Sequence, residues 1–233
     1  MLFRSETLLA EAGDRLRRQF RSTVVCHPCD LSDAKNAVAL AQQCGEIDIL
    51  VNNAGAIPPG RIDQIDDAQW RSAWDLKVFG FINLAREIYA GMKARGAGAI
   101  VNVIGIAAEC NRAAYIVGSS GNAALVAFTR ALGAESVDHG VRVVGVSPGR
   151  IQTDRQLRSV REAAERKFGD GERWPEMLAE MSATFPFKRF GQPEEVADLV
   201  VYLASERASY ISSTIVNIDA GQSYRPEIGR AHV

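Results

Sequence analysis

The chain has 233 residues, a formal net charge of −1, 47% hydrophobic residues and 24% charged residues. This length and composition fit a single α/β domain, which we assign to residues 6–222. The nearly neutral charge argues against nucleic acid as a partner, and no apolar run approaches the roughly 20 residues that a membrane span needs. Residues 1–20 lack the apolar core of a secretory signal, so we expect a cytoplasmic protein.

The cysteines and the two ends are not expected to contribute to function. Cys26 and Cys29 resemble half of a zinc site, but Cys44 and Cys110 are single and distant, so no metal site is predicted. The alternative is a set of apolar thiols that stay reduced. Residues 1–5 and 223–233 are predicted to be non-native or unstructured ends, and the reading frame is expected to be a fragment.

Helical and strand patterns alternate along the whole chain. The predicted strands, in chain order, are 23–26, 47–51, 99–104, 141–147 and 214–218. The predicted helices are 6–20, one from Ser32 through Ala41, 67–95 as two helices joined near Lys77, 115–138, a polar helical flap over 155–188, and one from Pro193 through Leu203. Near-continuous apolar strands between amphipathic helices predict a parallel sheet that is covered by helices on both faces.

Three of the predicted strands end in polar or glycine-rich turns. Asp30-Leu31 follows the first, Asn52-Asn53-Ala54-Gly55 the second, and Pro148-Gly149-Arg150-Ile151-Gln152-Thr153 the fourth. Taken singly, such turns are usually helix caps or chain reversals. In an open parallel sheet, however, ligands bind beyond the carboxyl ends of the strands, so together the three turns predict a binding site.

In this order and spacing, the segments resemble the short-chain dehydrogenase/reductase family. The resemblance covers roughly residues 6–222 and also includes 98–102, 125–135, 191–197 and 218–221. It implies an α/β fold with a Rossmann-type doubly wound parallel sheet, NAD or NADP as the cofactor, a small-molecule substrate, and a homodimer or homotetramer.

The resemblance also implies a set of cofactor-binding residues. Asp30, with Leu31 beside it, would hydrogen-bond the adenine amine. Asn52, Ala54 and Gly55 would line the adenosine. The turn that begins at Pro148-Gly149 would bring Ile151 and Thr153 to the nicotinamide amide and the phosphate side.

The sequence departs from the family pattern at the beginning of the fold. The family opens with a strand, a glycine-rich turn that cradles the pyrophosphate, a helix and a second strand. None of these can be found here, because residues 6–20 already correspond to the helix after the second strand. We therefore expect exposed apolar edges and weak or absent dinucleotide binding by this chain.

The second departure concerns catalysis. The family uses an Asn, a Ser, a Tyr and a Lys. Counting from the flanking motifs, those positions hold Lys77, Gly105, Gly118 and Asn122 respectively. Glycine carries no proton to donate, and a missing general acid costs ~10²–10⁴ in rate.

Tyr115 is the candidate replacement for the missing catalytic tyrosine. It lies three residues before Gly118, about one helical turn away, and Lys77 is a cation that could partly support it. The alternative is a packing tyrosine with a hydrated hydroxyl group. Similarly, Ser119 and Ser120 with Asn122 could bind a substrate oxygen or could only cap and pack the helix start.

Two functions remain open on the sequence. One is an oxidoreductase that transfers hydride between NAD(P) and a small carbonyl or alcohol substrate with a non-standard active site. The other is a catalytically inactive nucleotide-binding or scaffold protein of the same fold, as the four replaced positions would allow.

Overall fold

A computed structural model describes residues 6–225 and contains a four-stranded parallel sheet. The strands are β1 (Ile49–Asn52), β2 (Gly98–Val103), β3 (Val141–Pro148) and β4 (Ile215–Ile218), and they lie side by side in that order. The register aligns Asn52 with Asn102 and Pro148 with Ile218. The polar turns after the strands therefore gather at one edge of the sheet.

Eight helices connect and cover the strands in the described part of the chain. They are α1 (Glu6–Phe20), α2 (Ala34–Cys44), α3 (Asp67–Trp74), α4 (Gly80–Arg95), α5 (Ile116–Ser136), α6 (Asp154–Phe168), α7 (Trp174–Ala183) and α8 (Pro193–Ala204). A π-helical turn, Asp75–Phe79, joins α3 to α4. The predicted junction near Lys77 lies in this turn, and the predicted flap consists of α6 and α7.

Side-chain caps fix where several helices begin. The Asp33 carboxylate accepts a hydrogen bond from the Lys35 amide at the start of α2. Asp66 and Gln69 form a reciprocal capping box at the start of α3. Thr153 caps α6 by accepting from the Gln156 amide.

The core has a layer on each face of the sheet. Ile100 and Val143 face one layer, where they pack with Ala85 and Met92 of α4 and with α2. Their neighbours along the strands face the other layer, where Leu203 of α8 packs against Val101, Val144 and Val146. The predicted doubly wound α/β architecture is confirmed.

The predicted strand over 23–26 is wrong. Residues 21–30 have no regular secondary structure, and Val25 is 68% exposed. A strand needs a hydrogen-bonding neighbour, and none of the described residues pairs with this segment. β1 is consequently an edge strand, with Ile49 and Val51 49% and 43% exposed, in agreement with the expectation of exposed apolar edges.

The two ends are only partly described. Residues 1–5 and 226–233 lie outside the described range, whereas Gln222–Tyr224 forms a 3₁₀ turn in which the Ser223 amide donates to Asp219. Across residues 6–225, no helix has the length and apolar character that crossing a membrane requires.

We predict opposite effects on stability from adding one methyl group to two helical glycines. A Cβ at Gly133 of α5 would lie 2.7 Å from the Ser213 nitrogen and the Val143 oxygen, both of them backbone atoms. We expect Gly133→Ala to lower the free energy of unfolding by about 1–3 kcal/mol through overpacking. The matched control, Gly91→Ala on the exposed side of α4, should raise it by about 0.5–1 kcal/mol. Urea titration measures both, and a Gly133→Ala variant as stable as the parent would contradict the described packing.

Candidate active site

A chain of buried side-chain hydrogen bonds fixes the carboxyl edge of the sheet. The Asn52 amide nitrogen donates to Asn102 Oδ1 over 2.9 Å, and the Asn102 amide nitrogen donates to Thr129 Oγ1, also over 2.9 Å. These bonds join β1 to β2 and β2 to α5. Because all three side chains are buried, these bonds tie α5 at Thr129 to the ends of β1 and β2.

Lys77 lies at this edge and is 8% exposed. Its ammonium group donates to the carbonyl oxygen of Val103 over 2.9 Å and lies 4.7 Å from the centre of the Phe81 ring. Burial lowers the pKa of Lys77 to about 8. Gly55 leaves the room that this side chain needs, because a Cβ there would be 2.8 Å from Lys77 Cδ.

The ring of Tyr115 fills the space that a side chain at Gly118 would occupy. A Cβ built on Gly118 would overlap ring carbons Cε1 and Cζ of Tyr115. Tyr115 precedes α5, and a backbone bridge to Gly60 fixes its main chain. The Tyr115 ring therefore occupies the place of a Cβ at residue 118, although it comes from a residue one turn earlier.

Tyr115 is half-buried, and burial raises the pKa of its hydroxyl group, while the positive charge of Arg155 opposes that rise. Arg155, from the first turn of α6, is a cation whose charge acts on the phenol. The electrostatic support from Lys77 stays a prediction.

Asn122 occupies the space left by Gly105. Its amide nitrogen donates to the carbonyl oxygen of Gly105 over 3.3 Å, and a Cβ on Gly105 would be 3.1 Å from that nitrogen. The Asn122 Oδ1 atom is buried and has no hydrogen-bond partner within the described residues. A buried oxygen without a hydrogen-bond donor destabilises the fold unless a ligand or a water molecule donates to it. We therefore expect a polar ligand or a water molecule next to Asn122 Oδ1.

The two serines at the start of α5 have structural roles. Ser119 Oγ accepts a hydrogen bond from the Arg112 amide, and Ser120 Oγ donates back to the carbonyl oxygen of Ile116. These contacts favour capping and packing over a direct contact with a substrate oxygen.

The candidate cofactor residues come from three segments of the chain. Asn52, Ala54 and Gly55 lie together beside Lys77 at the end of β1, but Asn52 and Ala54 are buried, and the Asn52 amide is committed to Asn102. Asp30 lines a cavity of about 170 Å³ together with His27 and Asn36. Its carboxylate accepts bonds from the amide and hydroxyl groups of Ser32, and Leu31 packs into the core.

The turn after β3 holds the remaining candidates. Pro148 ends the strand, and the Gly149 amide donates to the carbonyl oxygen of Ile218. Ile151 bridges to Gly191, and Thr153 caps α6. In this region Ser147 Oγ is buried without a partner among the described residues, which again fits a polar ligand at the carboxyl edge.

Comparison with known proteins gives a consistent result. A family profile described as enoyl-(acyl carrier protein) reductase matches residues 3–223. The chain is 34% identical over 185 residues to an uncharacterized oxidoreductase of Thermotoga maritima, covering 77% of this chain and 68% of the relative. It is 32% identical over 197 residues to the 7alpha-hydroxysteroid dehydrogenase of Escherichia coli K12, covering 83% and 72%.

Solved structures share the fold over nearly the whole chain. L-sorbose reductase from Gluconobacter frateurii, complexed with NADPH and L-sorbose, superimposes with a TM-score of 0.89 at 31% identity, covering 96% of this chain and 86% of that one. YwfH, an NADPH-dependent reductase involved in bacilysin biosynthesis, superimposes with a TM-score of 0.83 at 27% identity, covering 94% and 85%.

The burial of Lys77 predicts a pH dependence of stability. Its folded pKa of about 8 lies below the unfolded value of about 10.4, so between these two values the unfolded chain binds the extra proton. The cost of burying the charge is present at neutral pH and disappears as pH rises through this window. The unfolding free energy of the parent should therefore rise relative to that of Lys77→Met, by ~3 kcal/mol at most.

Denaturant titrations between neutral pH and the upper end of that window measure the difference. Lys93→Met, which changes an exposed lysine of α4, serves as the control and should stay parallel to the parent. Parallel curves for Lys77→Met as well would show that the ammonium group is not buried.

Proposed function

The chain belongs to the short-chain dehydrogenase/reductase family, and we propose that it transfers hydride between NAD(P) and a small carbonyl or alcohol substrate with a non-standard active site. The observation that carries the proposal is the Tyr115 ring in the space of the missing side chain at Gly118. Such a reduction needs a proton donor, and Tyr115 supplies a phenol next to the glycine at the usual position.

The residues at the carboxyl edge fit the nicotinamide end of the cofactor. The unpartnered Asn122 Oδ1 and Ser147 Oγ offer polar contacts there. Asp30 with Leu31 would serve the adenine end. The described residues include no glycine-rich strand-to-helix turn for the pyrophosphate, so we expect weak dinucleotide affinity.

In the proposed reduction, a nicotinamide cofactor, when bound, would supply the hydride for the carbonyl carbon. Tyr115 donates its hydroxyl proton to the carbonyl oxygen. Because burial raises the pKa of this phenol, it stays protonated at neutral pH, which is the form that donates. Arg155 favours the phenolate that remains after the transfer.

Asn122 takes the polarising role of the missing serine. One of the two amide N–H bonds of Asn122 donates to the carbonyl oxygen of Gly105. The other is free to donate to the carbonyl oxygen of the substrate. A neutral donor that is fixed before the reaction stabilises the negative charge that develops on that oxygen.

Replacing the phenol tests the proposal. Tyr115→Phe keeps the ring in the space at Gly118 and removes only the hydroxyl group, so the fold should be retained. We expect kcat for reduction of small ketones with NADPH or NADH to fall by ~10²–10⁴. Tyr210→Phe, which changes a fully exposed tyrosine, should leave the rate unchanged.

Consumption of the reduced cofactor, compared with a blank without enzyme, is the measurement. Equal rates for the parent and Tyr115→Phe would remove Tyr115 as the donor. Cofactor binding without any turnover above the blank would favour the inactive nucleotide-binding alternative.

A further inference from the structure

A cavity of about 350 Å³ lies beyond the ends of β3 and β4. It is lined by the turn after β3, by the segment that leads into α8 and by the segment after β4. Backbone hydrogen bonds hold these segments together: the Gly191 amide donates to the carbonyl oxygen of Arg150 over 2.9 Å, and the Gly149 amide donates to that of Ile218 over 3.0 Å. Tyr115 is not among the described residues that line the cavity, so this is a different place from the proposed proton transfer.

Four charged side chains line the cavity, and two of them neutralise each other. Glu195 accepts hydrogen bonds of 2.8 and 2.6 Å from Arg189. Arg150 and Asp219 remain, and neither of them forms an ion pair within residues 6–225. The Asp219 carboxylate accepts bonds from two backbone amides of the turn that follows it. The cavity therefore presents one positive and one negative charge that lack an oppositely charged partner.

The positive charge belongs to a half-buried arginine. The guanidinium group of Arg150 has no hydrogen-bond acceptor among the described residues, and its contact is the face of the Phe185 ring, whose centre lies 5.9 Å from the guanidinium carbon. Burial, followed by the charge of Arg112, lowers the pKa of Arg150. A cation that loses water without gaining an acceptor is unfavourable unless an anionic group of a ligand completes its surroundings. A carboxylate fits, because a guanidinium group binds it through two parallel N–H bonds.

The negative charge is accompanied by an acceptor without a donor. Asn217 also lines the cavity; its amide nitrogen donates to Glu109 over 2.7 Å, whereas its buried Oδ1 has no partner in the described range. An ammonium group, with three N–H donors, can serve both Asn217 Oδ1 and Asp219. A Cβ on Gly149, next to Arg150, would lie 2.9 Å from Asp219 Cβ, so the two charged residues come from segments in direct contact. This closeness favours a ligand whose two charges are attached to one carbon atom.

The rest of the lining is largely apolar. Ile151, which is also a candidate cofactor residue, forms walls together with Phe185 and Pro186. Phe187 lines the cavity although 79% of the residue is exposed, so it stands at the mouth. Its φ of 53° is a left-handed conformation, which a bulky residue keeps only where the surrounding structure holds it. This volume and this mixture of surfaces are typical of a site for a small organic molecule.

We infer that this cavity binds a free α-amino acid with an apolar side chain, as a second small-molecule site in addition to the one at Tyr115. The carboxylate of the amino acid binds the Arg150 guanidinium group, and its ammonium group donates to Asn217 Oδ1 and Asp219. Its side chain lies against the rings of Phe185 and Phe187. The inference goes beyond the proposed hydride transfer and does not depend on it.

Three ligands of similar shape test this by calorimetric titration: leucine, 4-methylpentanoate, which lacks the ammonium group, and 3-methylbutylamine, which lacks the carboxylate. We expect leucine to bind about tenfold or more tightly than either, because each of the others loses a charged hydrogen-bonded pair. Arg150→Met should weaken leucine binding by about tenfold without weakening that of 3-methylbutylamine, and Arg150→Lys should restore part of the loss. Arg207→Met, which removes a guanidinium stacked on Tyr202, is the matched control and should bind leucine as the parent does.

A 4-methylpentanoate affinity equal to that of leucine would show a simple anion site and would overturn the inference. Leucine binding that is undetectable at millimolar concentrations, or unchanged in Arg150→Met, would overturn it as well. Competition between leucine and NADP⁺ for one site would assign the cavity to the cofactor instead. Circular dichroism of each variant checks that the fold is retained.

Discussion

The buried hydrogen-bond chain from Asn52 through Asn102 to Thr129 fixes β1, β2 and α5 relative to one another, and the candidate site lies at these elements. It ties the end of β1 to β2 and then to α5 without a charged group. An amide buried in this way must be satisfied, so the three elements can pack together only with these partners aligned. Lys77 is placed at the same edge by its own hydrogen bond to the carbonyl oxygen of Val103, at the end of β2.

Around this frame, three glycines each leave space that a neighbouring polar side chain fills. The Tyr115 ring lies at Gly118, the Asn122 amide at Gly105, and the aliphatic part of Lys77 at Gly55. At two of these places the filling group has the chemical character of the residue that the family places there: a phenol and a neutral hydrogen-bond donor. The site therefore keeps a phenol and a neutral hydrogen-bond donor although the usual residues are missing. This supports an active enzyme over an inert scaffold of the same fold.

Much of the fold follows from the sequence, because apolar periodicity and the turns after strands depend on local residues. The strands at 99–104 and 141–147 and the helix junction near Lys77 were predictable in this way. The segment 23–26 was not, since its β-branched residues favour a strand only where a neighbour supplies hydrogen bonds. The filling of Gly118 by Tyr115 could be suggested from the three-residue spacing but not established, because it depends on the direction in which the ring leaves the helix start. The proximity of Arg155 to Tyr115 was missed, because only the fold brings the first turn of α6 to this residue.

A double-mutant cycle of Tyr115→Ala and Gly118→Ala tests most directly the claim that the Tyr115 ring replaces the side chain missing at residue 118. With Tyr115 present, Gly118→Ala should lower the free energy of unfolding by about 1–3 kcal/mol, because the new methyl group overlaps the ring. In the Tyr115→Ala background the same change should be neutral or stabilising, as expected for alanine inside a helix, giving a coupling of about 1 kcal/mol or more. Additive effects of the two substitutions would show that the ring does not occupy this space, and the case for Tyr115 as the proton donor would lose its structural basis.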